Sequence, residues 1–189
     1  MKVIFLDRDG VICRFRLNDY AKNWQEFQFL PEAFSGLKRL SEAGYNIVVI
    51  SNQAGVGKGI YSEAALQEIT RRMLAVLASK NIRIAAVHYC LHTDQDNCDC
   101  RKPKPGMILQ AARKFGLSDL SRCFFVGDAE VDILAGKNAG TRTILVLSGK
   151  TQSPAEIENW TTRPDFIASN LSEAAEIVLK KDGENCGRI

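Results

Sequence analysis

Val3-Ile4-Phe5-Leu6-Asp7-Arg8-Asp9-Gly10 stands almost at the start of the chain. Four consecutive apolar residues suit a strand buried on both faces, as in a parallel sheet, and the glycine allows a turn that other residues resist. Open α/β folds bind their ligands at the carboxyl edge of such strands. Residues two apart on an extended segment point the same way, so Asp7 and Asp9 can face one bound group. A lone aspartate at a strand end is ordinarily a turn residue. Chemistry is indicated only if partners lie downstream.

Working outward, further apolar runs of strand length occur at Ile47–Ile50, Ile84–Val87, Phe124–Val126, Thr143–Leu147 and Phe166–Ala168. Helical spacing is read at Pro31–Ala43, Ser62–Ser79, Pro105–Phe115, Ala129–Ala139 and Leu171–Leu179, with Ser62 as a cap and Gly44, Gly116 and Gly140 as stops. Strand and helix alternate, which predicts a three-layer α/β domain around a mainly parallel sheet. One domain is expected over 1–180, with 181–189 a polar tail expected to be disordered. Two long connections, Gly10 to Leu30 and His88 to Pro103, break the rhythm, and loops of that length are usually functional.

The chain has 189 residues, 46% hydrophobic and 25% charged, enough for one full core. Its 25 basic and 22 acidic residues are interspersed, leaving +3 and no dense basic run of the kind nucleic acid or membrane binding needs. The segment Met1–Leu6 lacks the features of a secretory signal, and no apolar stretch approaches the roughly 20 residues of a transmembrane helix. The expectation is a cytoplasmic protein, with a monomer as the default.

A second acidic pair, Asp128 and Asp132, follows the strand Phe124–Val126, one helical turn apart. Carboxylates converging at one edge repel unless a cation sits among them, and oxygen-only ligands beside a phosphate favour magnesium. After the strand Ile47–Ile50 comes Ser51-Asn52-Gln53-Ala54-Gly55-Val56-Gly57-Lys58-Gly59, a turn whose hydroxyl, amide, glycines and lysine can cradle an anion. It lacks the spacing of a nucleotide-binding P-loop. The segment Arg101-Lys102-Pro103-Lys104-Pro105-Gly106 adds three cations; with prolines holding it extended, Lys102 and Lys104 are expected on one side, and spacing does not choose between them.

Between these lie Cys90-x-His92 and Cys98-x-Cys100, in a loop spanning 88–103. Three thiolates and one imidazole complete a tetrahedral zinc set with no open position, which says structural and not catalytic. The loop leads straight into Arg101 and Lys102, so metal binding is expected to position those cations. Cys13, Cys123 and Cys186 are assigned no chemistry.

The set Asp7-Arg8-Asp9-Gly10-Val11, Ser51-Asn52-Gln53, Arg101-Lys102-Pro103-Lys104-Pro105-Gly106 and Gly127-Asp128 resembles the haloacid dehalogenase superfamily of phosphatases. The cysteine-rich loop narrows the likeness to the subgroup acting on heptose bisphosphates and histidinol phosphate. The resemblance covers Val3 to about Lys150. It implies a Rossmann-like core without a large cap domain, and hydrolysis of a small phosphorylated metabolite through an aspartyl-phosphate. On the same analogy Asp7 is the nucleophile, and Asp9 protonates the leaving oxygen and then activates water. Ser51 and Lys102 hold the phosphoryl oxygens with Asn52 and Arg101 beside them. Magnesium is held by Asp7, Asp9 through its main-chain carbonyl, and Asp128, with Asp132 in the outer shell. Val11 and Ser51 stand where many members have threonine, and Cys13 where relatives often carry asparagine.

Lys58 is expected to reach a remote phosphate, and 18–29 to form one wall of an open site. Competing readings are weaker. A polynucleotide-end phosphatase needs an aromatic or basic track, which 8% aromatics do not supply. A non-enzymatic phosphoacceptor carries its aspartate after a middle strand and needs no Asp-x-Asp.

Overall fold

The computed structural model describes the backbone of residues 1–186 and side chains through residue 184. Six strands form one parallel sheet: β1 (Val3–Leu6), β2 (Asn46–Asn52), β3 (Ile84–Cys90), β4 (Phe124–Gly127), β5 (Arg142–Val146) and β6 (Phe166–Ala168), in the order β3-β2-β1-β4-β5-β6. Among the described residues six helices accompany them: α1 (Pro31–Glu42), α2 (Ala54–Gly57), α3 (Glu63–Ser79), α4 (Gly106–Lys114) and α5 (Glu130–Ala139) between strands, and α6 (Leu171–Cys186) after the last.

Alternation along β1 explains the three layers. Ile4 and Leu6 face one core with Leu37 and Leu40 of α1, Ile69 and Met73 of α3, and Ala174 and Val178 of α6. Val3 and Phe5 face the other with Met107, Ile108 and Ala111 of α4 and Ala135 of α5. With both faces covered, β1 is apolar throughout, and each such buried side chain contributes roughly 1.5–3 kcal/mol. Ser62 caps α3 by accepting from the Ala65 N–H at 3.1 Å, and Gly44, Gly116 and Gly140 follow their helices with φ of +79, +65 and +84°.

Several boundaries run past the sequence reading, two of them by three residues or more. β3 continues three residues beyond Val87 because Ser51 and Asn52 of β2 pair with Tyr89 and Cys90. α6 continues beyond Leu179 to Cys186, and Asp182 on it is tied to Lys2 at 2.8 Å. The rest of the expected tail, 187–189, and the Cys186 side chain lie outside the described residues. Among the described residues no helix is long and apolar enough to cross a membrane.

Since all strands run one way, the ends of β1, β2 and β4 share an edge. The chain turns to β2 and β3 on one side of β1 and to β4 on the other, so that edge is the topological switch point. Residues after these three strands are thereby neighbours.

Candidate active site

A cleft of about 160 Å³ opens at the switch point, lined by Asp7, Asp9, Ser51, Asn52, Lys102, Asp128 and Asp132 together with Phe15, Arg16, Asp19, Tyr20, Ala21, Ala129, Val131 and Lys150. Asp7 follows β1, with its N–H bonded to the Val126 carbonyl at 2.9 Å, so β4 fixes its height. Asp128 follows β4 with one oxygen accepting from the Lys150 N–H at 2.6 Å. Gly10, at φ +82°, and Gly149 leave no room for a Cβ: each would lie 2.0 Å from that oxygen. Two glycines therefore clamp one carboxylate.

Among the described residues, Lys102 is the buried cation that faces Asp7 and Asp132. Its Nζ lies 2.8 Å from Asp7 Oδ1 and 2.6 Å from Asp132 Oδ1, and donates to the Ile50 carbonyl at 3.1 Å. Burial opposes its charge, but Asp132 and Asp7 hold it above the usual lysine value. Asp132 also accepts from the Asp128 and Ala129 N–H groups at 3.2 and 3.1 Å, so both its oxygens are engaged. Burial lifts Asp7 to about 6 even against the pull of Lys102, and raises Asp128 well above the carboxylate range, Asp132 and Asp7 adding to the effect. Oxygen atoms of Asp7, Asp128 and Asp132 lie within 4.8 Å of one another. Three carboxylates against one ammonium leave two charges uncompensated, and apart from their ion pairs with Lys102 the buried Asp7 Oδ1 and Asp132 Oδ1 have no hydrogen-bond partner. A divalent cation fits that deficit and that all-oxygen donor set.

Lys102 and Lys104 do not project on the same side, as an extended segment predicts. Lys102 turns inward, whereas Lys104 lies exposed, 3.3 Å from Asp99. Residues 101–104 form a turn closed by the Lys104 N–H on the Arg101 carbonyl at 2.9 Å, so the alternation of an extended chain does not apply. Asn52 fixes that turn: its amide donates to the Lys102 carbonyl and accepts from the Lys102 N–H, both at 3.1 Å.

Asp9 is turned toward Arg8, whose Nε and Nη2 donate to it at 3.1 and 3.2 Å, and toward Gln53, which donates at 2.7 Å. Arg101 does not line the cleft; it donates to Asp94 at 2.6 Å on the neighbouring loop. Lys58 stands at the rim, 3.4 Å from the hydroxyl of Tyr20. Of the expected wall 18–29, Asp19, Tyr20 and Ala21 face the cleft, while Trp24, Phe27 and Phe29 stack beneath them. Sequence reasoning passed over Arg16, Lys150 and Gly149. Arg16 carried no motif, but Gly149-Lys150 just beyond an apolar strand was a readable sign of another loop at the same edge.

The second cluster is local. Cys100 Sγ lies 3.2 Å from Cys90 Sγ, 3.3 Å from Cys98 Sγ and 3.3 Å from His92 Nδ1, while Cys90 Sγ is 3.7 Å from both Cys98 Sγ and His92 Nδ1. These cysteines are free, far from the ~2.05 Å of a disulfide. A tetrahedron with Zn–S of about 2.3 Å has S–S edges of about 3.8 Å, close to the spacing seen. Cys90 ends β3, and its carbonyl accepts from the Gln53 N–H at 2.7 Å, joining this loop to the β2 end of the cleft.

Comparison with known proteins identifies relatives of the chain. Residues 99–174 match the HAD-hydrolase-like family model. The D-glycero-beta-D-manno-heptose-1,7-bisphosphate 7-phosphatase of Pasteurella multocida is 38% identical over 184 residues, 94% of this chain and 96% of its own length. The D-glycero-alpha-D-manno-heptose-1,7-bisphosphate 7-phosphatase of Photorhabdus laumondii is 39% identical over 165 residues, 82% and 88% of the two chains. The crystal structure of D,D-heptose 1,7-bisphosphate phosphatase from B. bronchiseptica, complexed with magnesium and phosphate, superposes with a TM-score of 0.89 at 31% identity, covering 96% of this chain and 99% of that one.

Proposed function

The chain belongs to the haloacid dehalogenase-like phosphatases, and on that premise we propose that it removes the 7-phosphate of D-glycero-D-manno-heptose 1,7-bisphosphate through an aspartyl-phosphate on Asp7. The observation that carries the mechanism is the buried meeting of Asp7, Asp128 and Lys102 at the switch-point cleft.

Asp7 attacks phosphorus, and the ester P–O bond breaks as Asp9 gives its proton to the departing sugar oxygen. Asp9, now ionised, takes a proton from water as that water attacks the same phosphorus, and the Asp7–phosphorus bond breaks to release phosphate. Lys102 and the Ser51 hydroxyl hold the phosphoryl oxygens; a buried ammonium acts strongly there because little water screens it. Asn52 serves by bracing the Lys102 main chain. Asp7, Asp128 and the main-chain carbonyl of Asp9 would hold magnesium, which would supply charge that offsets repulsion between a carboxylate nucleophile and a phosphate dianion. Asp132 orients Lys102 and the β4–α5 turn from outside that shell.

Zinc on Cys90, His92, Cys98 and Cys100 is structural in this reading. It closes the loop that carries Arg101, and through Asp94 and the 101–104 turn it sets Lys102. Lys58 at the rim and Arg16 and Lys150 in the cleft wall are cations available to the phosphate that is not cleaved. The molecule acts as a cytoplasmic monomer on this small metabolite, without nucleic acid or membrane.

Phosphate release in the presence of magnesium decides the substrate. Both heptose bisphosphate anomers, histidinol phosphate, sugar monophosphates and a phosphorylated oligonucleotide end are compared. One heptose bisphosphate anomer should show the highest kcat/KM; a preference for histidinol phosphate would replace the proposed substrate while leaving the chemistry.

A further inference from the structure

The geometry points to Gln53 as the positioning residue that aims Asp9 at the leaving oxygen. Gln53 is only 1% exposed and is not part of the cleft wall. A primary amide has two N–H donors and two acceptor lone pairs, and all four are used here. Nε2 donates to Asp9 Oδ2 at 2.7 Å and to Ser51 Oγ at 3.0 Å. Oε1 accepts from Arg8 Nη2 at 2.9 Å and from the Tyr61 hydroxyl at 2.6 Å. Arg8 can only donate, so the amide cannot be turned over without setting donor against donor.

Two of the partners, Arg8 and Tyr61, are themselves closely packed. Arg8 is fully buried, its guanidinium 5.9 Å from the Phe27 ring and 5.6 Å from that of Tyr89. Tyr61 packs so tightly on α2 that a Cβ at Gly55 would come within 2.3 Å of its ring. Arg8 holds the Asp9 carboxylate from one side and Gln53 from another, while Cys13 Sγ is a weak third contact at 3.5 Å. Through one amide, the group that protonates the sugar oxygen and the hydroxyl that holds the phosphoryl oxygen are kept at a fixed separation. Orientation of this kind governs rate, because small displacements of an acid from its target cost large factors.

This inference rests on Asp9 being the general acid, so its test separates the two. Single-turnover phosphorylation is measured with a heptose 1,7-bisphosphate, whose alkoxide leaving group needs a proton, and with p-nitrophenyl phosphate, whose phenolate does not. Gln53→Met keeps volume and loses the amide. It should slow the sugar ester by about 30-fold and the activated ester by less than about 3-fold, in kcat more than in KM. Tyr61→Phe, which removes one hydroxyl and should fold, is expected to slow only the sugar ester, by about 5-fold. Equal losses on both esters, as damage to Ser51 would give, overturn the positioning role, as does no loss. Asp9→Asn is run alongside: if it too treats both esters alike, the acid assignment falls and this inference with it. If it discriminates and Gln53→Met does not, only the role of Gln53 is lost.

Discussion

The two ligand clusters of this molecule are built in opposite ways. Cys90, His92, Cys98 and Cys100 lie within eleven residues of one another, on the end of β3 and an irregular loop. Asp7, Lys102, Asp128 and Asp132 span most of the chain and meet only because three parallel strands end at one edge. The local cluster has side chains about 3.2–3.7 Å apart at the margin of a core that only Cys90 enters, so a metal is what can hold its other members. The dispersed cluster is held by the sheet and brings an excess of negative charge that the sheet alone cannot relieve. The two clusters thus differ in what assembles them.

Asp7→Asn tests the reactive cluster hardest. With the nucleophile gone, turnover should fall by at least about 10³-fold, or about 4 kcal/mol of barrier, while the fold survives. Full activity in that variant removes the covalent mechanism. Lys102→Met leaves Asp7 and Asp132 buried without their cation; a stability loss of about 3–5 kcal/mol in urea melts is expected, partly restored by magnesium. A loss under about 1 kcal/mol would mean the ion pairs matter little.

The charge imbalance also predicts a pH dependence of the metal-free protein. The Asp7 carboxyl titrates at about 6 in the fold and near 3.8 when unfolded, so between those values the fold binds the proton that the unfolded chain has shed. Stability then falls as pH rises through that window, by about 3 kcal/mol for this group, and Asp128 acts in the same direction. The rise in Tm on adding magnesium should therefore be small at pH 4.5 and large at pH 7. A rise independent of pH would break the link.

For the local cluster, Cys98→Ser or zinc chelation should loosen the loop and lower kcat by about 10-fold without unfolding the core, since of the four ligands only Cys90 belongs to the apolar cluster that α4 makes with the sheet, and Cys98 and Cys100 merely border it. Proteolysis at the loop and metal analysis check this. Global unfolding instead would show that the two clusters are one cooperative unit. The smallest effect is expected at the rim: Lys58→Ala should raise KM for the bisphosphate by about 5-fold and leave a monophosphate unchanged. Equal changes would remove Lys58 from substrate binding.

The sheet was legible because buried parallel strands are continuously apolar, as at Val3–Leu6 and Ile47–Ile50, and because the helix stops at Gly44, Gly116 and Gly140 have a local cause. The end of β3 was not, since its last three residues, His88 to Cys90, are strand only by pairing with β2. In the site, Asp7, Ser51 and Asp128 announced themselves by following apolar runs. Lys102 was not separable from Lys104 by spacing, because the turn at 101–104 is set by a hydrogen bond to Asn52, fifty residues away.

By itself the sequence determined which residues could do chemistry: paired carboxylates after strands, a thiolate and imidazole set with zinc spacing, and a cation-rich turn. Side-chain chemistry and short-range periodicity are properties of the chain, so they are readable in one dimension. Only the tertiary structure decided that Arg101 faces Asp94, that Asp128 is clamped by Gly10 and Gly149, and that Gln53 joins Asp9 to Ser51. Those outcomes depend on which distant groups are buried together, where a missing Cβ or a four-bonded amide selects one arrangement among those the residues permit.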